Sequence, residues 1–173
     1  MDGIMICPYC TFSNIEGADH CDRCGQGLSD LHLPSPLTKV ERSLLKDRVE
    51  VLDPKKPITV PPDMPVSQVL QLLVENGIGC VIVTDAGRTV GIFSERDALI
   101  KLNTACGDLA DQPVSQFMTA NPQVLNSGAK IVFAVRAMSQ GSYRHVPVVD
   151  ETNQLTGIVS ARDILRYLTA RMQ

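Results

Sequence analysis

Along residues 51–173, hydrophobic and polar residues follow two periods, and the same order of periods occurs twice. Short apolar runs bounded by turn residues predict strands, and apolar positions three and four residues apart predict helices. The first half predicts a strand, a helix, two strands and a helix, formed in turn by PITV, PVSQVLQLLVENG, CVIVTD, TVGIF and SERDALIKL. Its first helix ends at Asn76-Gly77. The buried face predicted for that helix consists of Val66, Val69, Leu70, Leu73 and Val74.

The second half predicts the same order, with strands PQVL, HVPVVD and LTGIV and a final helix SARDILRYL. Its first helix ends at Gly141 and is marked by Ile131, Ala134, Val135 and Met138. The halves are offset by 65 residues up to Asp85 and Asp150 and by 66 afterwards, because the turn ETNQ is one residue longer than AGR. An insertion confined to a turn indicates a true structural repeat.

The sequence therefore predicts an α/β (α+β) fold made of two β-α-β-β-α repeats, residues 51–105 and 106–173, packed as a pseudo-twofold pair. Residues 31–50 predict a linker and a helix. The linker is LHLPSPL, in which two prolines disfavour helix. The helix is TKVERSLLKDRV (38–49), with one apolar face of Val40, Leu44, Leu45 and Val49.

Residues 1–30 contain two CxxC pairs, Cys7-Pro-Tyr-Cys10 and Cys21-Asp-Arg-Cys24. Two such turns can direct four thiolates at one ion, and a complete tetrahedral shell is typical of a structural metal site. The soft donor set favours zinc, with iron as the alternative metal. Free thiols and a disulfide-bonded loop are the alternatives to metal binding. His20 adjoins Cys21 and is not needed, so we expect it on the surface.

Composition and charge limit the function classes. The chain is 44% hydrophobic and 20% charged, which indicates a globular protein, and its net charge of −3 gives no general attraction for nucleic acid. In residues 1–30 only Arg23 opposes the acidic residues Asp2, Glu16, Asp19, Asp22 and Asp30. No apolar run reaches the ~20 residues of a membrane span, and the start resembles no signal peptide. We expect a cytoplasmic protein.

The repeats end in closely similar stretches, GIFSERD (91–97) and GIVSARD (157–163). Ser94-x-x-Asp97 and Ser160-x-x-Asp163 match the capping box of a helix start. Capping does not explain the recurrence of Arg96 and Arg162, because a cation is unfavourable in the first turn. A helix start with a nearby base and acid also suits the phosphate and ribose of a nucleotide. Both interpretations stay open at this point.

The doubled pattern resembles a tandem pair of CBS (cystathionine β-synthase) domains, a Bateman module. The matching stretches run from PITVPPDMPVSQVL to GIFSERD and from PQVLNSGAK through RHVPVVD to GIVSARD. The resemblance implies regulatory, non-catalytic binding of AMP, ADP, ATP or a related adenosyl ligand in clefts between the repeats, and a homodimer formed through them. The first residues look like a short zinc ribbon that precedes this module in the chain.

The resemblance also implies the residues of each cleft. One cleft would combine residues of the first repeat with the end of the second, namely Ile58, Thr59, Gly79 and Cys80 with Ile158, Ser160, Arg162 and Asp163. The other would combine Val124, Tyr143, Arg144 and His145 with Ile92, Ser94, Arg96 and Asp97. The aspartates would hold ribose, and the arginines and His145 would lie near phosphates.

Two predictions rest on this assignment. Since Arg144 and His145 stand where the other cleft has Gly79 and Cys80, we expect their cleft to bind the more phosphorylated ligand or to be the one occupied. We also expect the zinc ribbon to stabilise the module or to dock an unknown protein partner. The alternative is a nucleic-acid or transcription accessory protein in which the ribbon binds nucleic acid and the repeats only dimerise, although the acidic ribbon argues against it.

Overall fold

The first elements of the fold belong to the cysteine-rich segment and the helix that follows it. The structure is a computed structural model that describes residues 4–7, 9–15, 18–28, 38–103, 107–141 and 143–172. Strands β1 and β2 pair antiparallel and α1 follows them; their bounds are Ile4–Ile6, Ser13–Ile15 and Lys39–Lys46. The predicted linker LHLPSPL lies outside the described residues.

Both repeats adopt the predicted order of elements. The first contains β3, α2, β4, β5 and α3, with bounds Thr59–Val60, Val66–Asn76, Cys80–Asp85, Arg88–Ser94 and Glu95–Asp97. Helix α3 continues as a wider π-helical turn, Ala98–Leu102. Strand β6, Thr119–Ala120, comes next. The second repeat contains β7, α4, β8, β9 and α5, with bounds Leu125–Asn126, Ile131–Gly141, His145–Val149, Leu155–Ser160 and Ala161–Arg171. The predicted mixed α+β fold is confirmed.

The chain forms two compact units. The central unit is residues 56–122, and the terminal unit combines residues 1–55 with residues 123–173. In the central unit the sheet order is β3-β4-β5-β6, and in the terminal unit it is β7-β8-β9. The first strand of each repeat is parallel to its neighbour and the next pair is antiparallel, because the connection from the first strand to the second crosses over through a helix.

Each unit has its own cluster of buried side chains. The central cluster is built from Val69, Leu73, Phe93 and their neighbours. The terminal cluster is built around Leu125 and Ile131, and it also contains buried residues of the cysteine-rich segment, namely Cys7, Tyr9 and Cys21. The cysteine-rich segment therefore packs on the second repeat.

The segment that leads into each repeat packs on the other repeat. We call residues 47–55 the first leader and residues 112–120 the second leader. In the second leader, β6 pairs with β5 at Gly91 and Ile92. In the first leader, Lys55 pairs with Ile158, the residue of β9 that corresponds to Ile92. The pattern of hydrophobic and polar residues contains no periodic signal that predicts the pairing of each leader with a strand of the other repeat.

The leaders make corresponding hydrogen bonds at the start of a helix. The Val49 amide donates to the Ala129 carbonyl at 2.8 Å, and the Val114 amide donates to the Met64 carbonyl at 2.9 Å. Both valines are fully buried and each begins a short 3₁₀ turn. Each leader is thus anchored by a buried valine beside the first helix of the repeat it contacts.

The leaders also explain the glycines of GIFSERD and GIVSARD. A Cβ atom on Gly91 would overlap the Met118 sulfur of the second leader, and one on Gly157 would lie 2.6 Å from the Pro54 Cβ of the first leader. Neither glycine has a positive φ. Close approach of a leader, and not backbone conformation, is therefore what requires glycine here.

Two predictions about apolar faces are wrong. Helix α1 ends at Lys46, and Val49 lies in the following 3₁₀ turn, because its amide bonds to Ala129 and not to the helix. On α2, Val66, Val69 and Leu73 are buried as predicted, but Val74 is 82% exposed. Within the described residues, no helix combines the length and apolar character needed to cross a membrane.

Candidate functional site

The two Ser-x-Arg-Asp stretches form nearly identical helix starts. Ser94 Oγ accepts a hydrogen bond from the Asp97 amide at 3.3 Å, while Asp97 Oδ2 accepts from the Ser94 amide at 3.0 Å and from Ser94 Oγ at 2.6 Å. The corresponding distances for Ser160 and Asp163 are 3.3, 2.8 and 2.6 Å. The predicted capping boxes are confirmed at both helices.

The other carboxylate oxygens of these aspartates are bound differently. Asp97 Oδ1 accepts from Lys101 Nζ at 2.8 Å and from Thr119 Oγ1 at 3.1 Å. Asp163 Oδ1 has one contact among the described residues, with Arg166 at 3.4 Å. The Lys101 side chain is 34% exposed, whereas that of Arg166 is 64% exposed and more strongly solvated. A carboxylate offers about four acceptor positions, so Asp97 is saturated and Asp163 is not.

Lys101 is held by the second leader as well as by Asp97. Its Nζ atom donates to the Phe117 carbonyl at 2.7 Å, and Thr119 of the same leader donates to Asp97. Burial would raise the pKa of Asp97, but the hydrogen bonds from Lys101 and Ser94 and the charge of Lys101 outweigh it and lower the pKa below its usual value. Asp97 is therefore a carboxylate at neutral pH with its counter-ion in contact.

The two arginines of the Ser-x-Arg-Asp stretches lie on the surface. Arg96 and Arg162 are solvent-accessible residues next to the helix starts at Ser94 and Ser160. Within the described residues, no hydrogen bond or ion pair holds either guanidinium group. Capping leaves their recurrence unexplained, and each is accessible to an anion.

Four further predicted site residues lie beside the helix start of their own repeat. The Gly79 carbonyl accepts from the Glu95 amide at 3.0 Å, and Cys80 pairs with Ser94. In the second repeat the Arg144 carbonyl accepts from the Ala161 amide at 2.8 Å, and His145 pairs with Ser160.

The first strands carry the rest of the predicted set. Thr59 lies in β3 opposite Ile82, and the Ile58 carbonyl accepts from the Ile82 amide at 2.9 Å. Val124 directly precedes β7 and Tyr143 lies between α4 and β8; both are half-buried. The grouping of these residues across repeats stays a prediction.

Cys80 behaves as a small apolar residue. Its side chain is buried, and burial, followed by the nearby charges of Glu95 and Asp97, raises the pKa of its thiol to about 12. A thiol of that pKa is protonated at neutral pH and is a poor nucleophile.

The four predicted metal ligands lie together in the cysteine-rich segment. Cys7 Sγ is 3.6 Å from Cys24 Sγ, Cys10 Sγ is 3.5 Å from Cys21 Sγ, and all four sulfur atoms lie within 4.8 Å of one another. Tetrahedral zinc with Zn–S bonds of about 2.3 Å requires sulfur atoms about 3.8 Å apart. The donor set and its spacing therefore fit zinc. His20 is exposed, as expected.

The backbone of each CxxC turn is suited to metal binding. The Thr11 amide donates to the Cys7 carbonyl at 3.0 Å, and the Gly25 amide donates to the Cys21 carbonyl at 2.8 Å. Both Thr11 and Gly25 have positive φ, 57° and 71°. Burial would raise the pKa of Cys21, but backbone amides directed at its sulfur outweigh it and lower the pKa to about 6. These amides stabilise a thiolate.

Tyr9 connects this cluster to the second repeat. Its hydroxyl donates to the Phe133 carbonyl at 3.2 Å, and its ring meets the Phe133 ring edge-on with centroids 5.5 Å apart. Tyr9 is buried, and it lies between Cys7 and Cys10 in the chain. The contacts between Tyr9 and Phe133 therefore hold the cysteine cluster against helix α4.

Comparisons with known proteins identify the repeats. The CBS domain family model matches residues 50–103 and residues 114–170. The chain belongs to the CBS-domain family. A CBS-domain containing protein from Agrobacterium tumefaciens is 32% identical with a TM-score of 0.65, and the match covers 70% of this chain and 98% of that one.

Further relatives extend the comparison of the CBS repeats. An uncharacterized 17.7 kDa protein of Acidianus ambivalens is 29% identical over 122 residues, 70% of this chain and 73% of that protein. CBSX2, solved in complex with AMP, is 26% identical with a TM-score of 0.58 and coverage of 71% and 98%. Curated relatives from Arabidopsis thaliana are much longer, and the match covers only 25% of one of them.

Two residues of the candidate site were not found by sequence reasoning. Lys101 lies four residues after Asp97, a spacing at which opposite charges meet on a helix, so this ion pair could have been predicted. Thr119 reaches Asp97 only because the second leader pairs with β5, and no local pattern predicts that pairing.

Proposed function

We propose that the chain is a non-catalytic regulatory module that binds an adenosine-containing ligand, AMP, ADP, ATP or a related adenosyl compound, through its two CBS repeats. The observation that carries this proposal is the buried Asp163 carboxylate at the start of α5, next to a solvent-accessible arginine. Buried carboxylates are normally hydrogen-bonded, and the Asp163 Oδ1 atom, whose contact among the described residues is with Arg166 at 3.4 Å, has acceptor capacity that a ribose diol would fill. The AMP complex of CBSX2, a relative in the same family, supports the ligand class.

Each proposed binding position is built on the helix start that ends a repeat. At the end of the second repeat, Lys55 of the first leader pairs with Ile158 in the stretch that contains Ser160 and Asp163. At the end of the first repeat, Thr119 of the second leader contacts Asp97. Asp97 and Asp163 are the candidate ribose ligands, and Arg96, Arg162, Arg144 and His145 are the candidate phosphate ligands.

The four cysteines hold a structural zinc ion in this proposal. Zinc would be bound by Cys7, Cys10, Cys21 and Cys24, and it would fix the cysteine-rich segment against the second repeat. Four thiolates leave no coordination position for a substrate, which supports a structural role. The four thiols stay available for a metal in a reducing compartment, so the proposal places the protein in the cytoplasm.

The module also has partners in this proposal. A homodimer forms through the CBS repeats, and the exposed side chains of Val74, Leu99 and Ile100 on the helices of the central unit provide apolar surface for it. The zinc ribbon docks a protein partner. Sedimentation of the zinc-loaded chain tests the dimer, and a monomer at micromolar concentration would contradict it.

A thermal-shift panel tests the ligand. The purified full chain, loaded with zinc, is heated with AMP, ADP, ATP, NADH or S-adenosylmethionine, and with GMP as the control. A ligand at a hundred times its Kd stabilises the folded state by about 2.7 kcal/mol, which raises the melting temperature measurably. No shift with any adenosine compound would contradict the proposal. A salt-dependent gel shift with RNA or DNA would instead favour the nucleic-acid alternative.

A further inference from the structure

The two helix starts that match in sequence differ in what already occupies their aspartates. Asp97 receives four hydrogen bonds, from the Ser94 amide, Ser94 Oγ, Thr119 Oγ1 and Lys101 Nζ. Since a carboxylate has about four acceptor positions, a ribose hydroxyl could bind there only by displacing one of these groups.

Displacement of Lys101 is opposed by its second partner. Lys101 Nζ is fixed between Asp97 Oδ1 and the Phe117 carbonyl, at 2.8 and 2.7 Å. Loss of the lysine from this position would leave the carbonyl and the carboxylate without their shared donor. Displacement of Thr119 is opposed by the pairing of β6 with β5, which positions its hydroxyl. Both blocking groups are therefore held by the fold of the central unit.

Asp163 has no equivalent of either group among the described residues. The residue in the position of Lys101 is Tyr167, whose hydroxyl instead donates to Asp47 Oδ2 at 2.7 Å. The residue in the position of Thr119 is Lys55, which is exposed. Asp163 is 7% exposed, and its Oδ1 atom has only the 3.4 Å contact with Arg166 in the part of the chain that the structure describes. It is a buried carboxylate with acceptor capacity to spare.

We infer that Lys101 keeps nucleotide away from Asp97, so that each chain binds one adenosine ligand, with the ribose at Asp163. This inference rests on the proposed function and adds the stoichiometry and the residue that sets it. The number of cationic residues in the sequence favours the position with Arg144 and His145, which includes Asp97. The inference favours the other position, because that comparison does not consider that Lys101 is already paired with Asp97.

Calorimetric titration of the zinc-loaded full chain with AMP tests the inference. We expect one equivalent per chain for the wild type and for the control Arg166→Gln, which removes the cation beside Asp163. Asp163→Asn removes the carboxylate charge and should weaken binding at least about tenfold. Lys101→Gln frees Asp97 and should add a second equivalent, which Asp97→Asn in the same chain removes. Lys101→Arg keeps the positive charge, and we expect this variant to bind one equivalent of AMP per chain.

Each other outcome contradicts a different statement. Two equivalents in the wild type, or AMP binding by Asp163→Asn with the wild-type Kd, would overturn the inference while leaving the proposed function intact. One equivalent in a folded Lys101→Gln chain would overturn the role of Lys101. If Lys101→Gln does not fold, Asp163→Asn still tests whether the ribose binds at Asp163, because it leaves Lys101 in place. No heat with AMP, ADP or ATP in any variant would overturn the proposed function itself.

Discussion

GIFSERD and GIVSARD are two copies of one helix start, and they differ in their surroundings rather than in their own geometry. Their capping distances agree within 0.2 Å. The first copy lies in the central unit, where a lysine and a threonine saturate its aspartate. The second lies in the terminal unit, where its aspartate is more deeply buried and less fully bonded. Duplicated residues therefore need not provide duplicated sites.

The two units also differ in what supports them. The terminal unit includes the cysteine-rich segment and helix α1, which is joined to α5 because Asp47 Oδ2 accepts from Tyr167 and Arg171 at 2.7 and 3.0 Å. The central unit has no counterpart of these elements within the described residues. In the proposed zinc-bound protein, the stability of the terminal unit depends on the metal site, whereas that of the central unit depends on its own apolar cluster.

Metal removal should have the largest effect on stability, and it should affect the terminal unit more than the central unit. Structural zinc supplies about 10 kcal/mol or more to isolated zinc-finger peptides, so chelation should destabilise the terminal unit by several kcal/mol. Hydrogen exchange should accelerate in α4 and around Tyr9 while residues 66–93 keep their protection. Equal acceleration in both units would show that the cysteine-rich segment is not specific to the second repeat.

Gly91 and Gly157, the two glycines that the leaders approach, should respond unequally to alanine. Gly157→Ala places a methyl group against the rigid Pro54 ring and should cost about 1–3 kcal/mol. Gly91→Ala meets the end of the flexible Met118 side chain, which can move, so it should cost less. Urea unfolding of the two variants measures this difference. A larger loss for Gly91→Ala would contradict the packing described for the leaders.

Thr119→Val should weaken the central unit while keeping the shape of the side chain. It removes the hydroxyl that donates to Asp97, and a hydrogen bond to a partly exposed charge should contribute about 1 kcal/mol. The matched control is Lys55→Met in the first leader, an exposed position where we expect a change within about 0.5 kcal/mol. Equal losses of unfolding free energy for Thr119→Val and Lys55→Met in urea would contradict the proposal that only the second leader stabilises an aspartate.

The pH dependence should show the smallest effect. The pKa of Asp97 is lower in the folded chain than in the unfolded chain. Its stabilising contribution is therefore complete above the unfolded pKa of about 4 and is lost as pH falls through the lower folded value. For a pair this close to solvent we expect below about 1 kcal/mol. The difference in unfolding free energy between wild type and Asp97→Asn, measured from pH 7 to pH 3, should shrink toward low pH; a constant difference would contradict the ion pair.

Much of this structure could be predicted because its signals are local. Helix and strand periods, the turn insertion between repeats, the Ser-x-x-Asp caps and the CxxC spacing all act within a few residues. The leaders could not be predicted, since the contacts of Lys55 with Ile158 and of Thr119 with Asp97 join residues that no shared local pattern connects. The exposure of Val74 likewise depends on what packs beside α2, which periodicity alone does not show.

A crystal structure of the zinc-loaded full chain with AMP would show directly which aspartate holds the ribose. We predict one AMP per chain, with its ribose hydroxyls within hydrogen-bond distance of Asp163 Oδ1 and with Lys101 still paired to Asp97. Ribose bound at Asp97 with Lys101 displaced would contradict the inequality of the two helix starts.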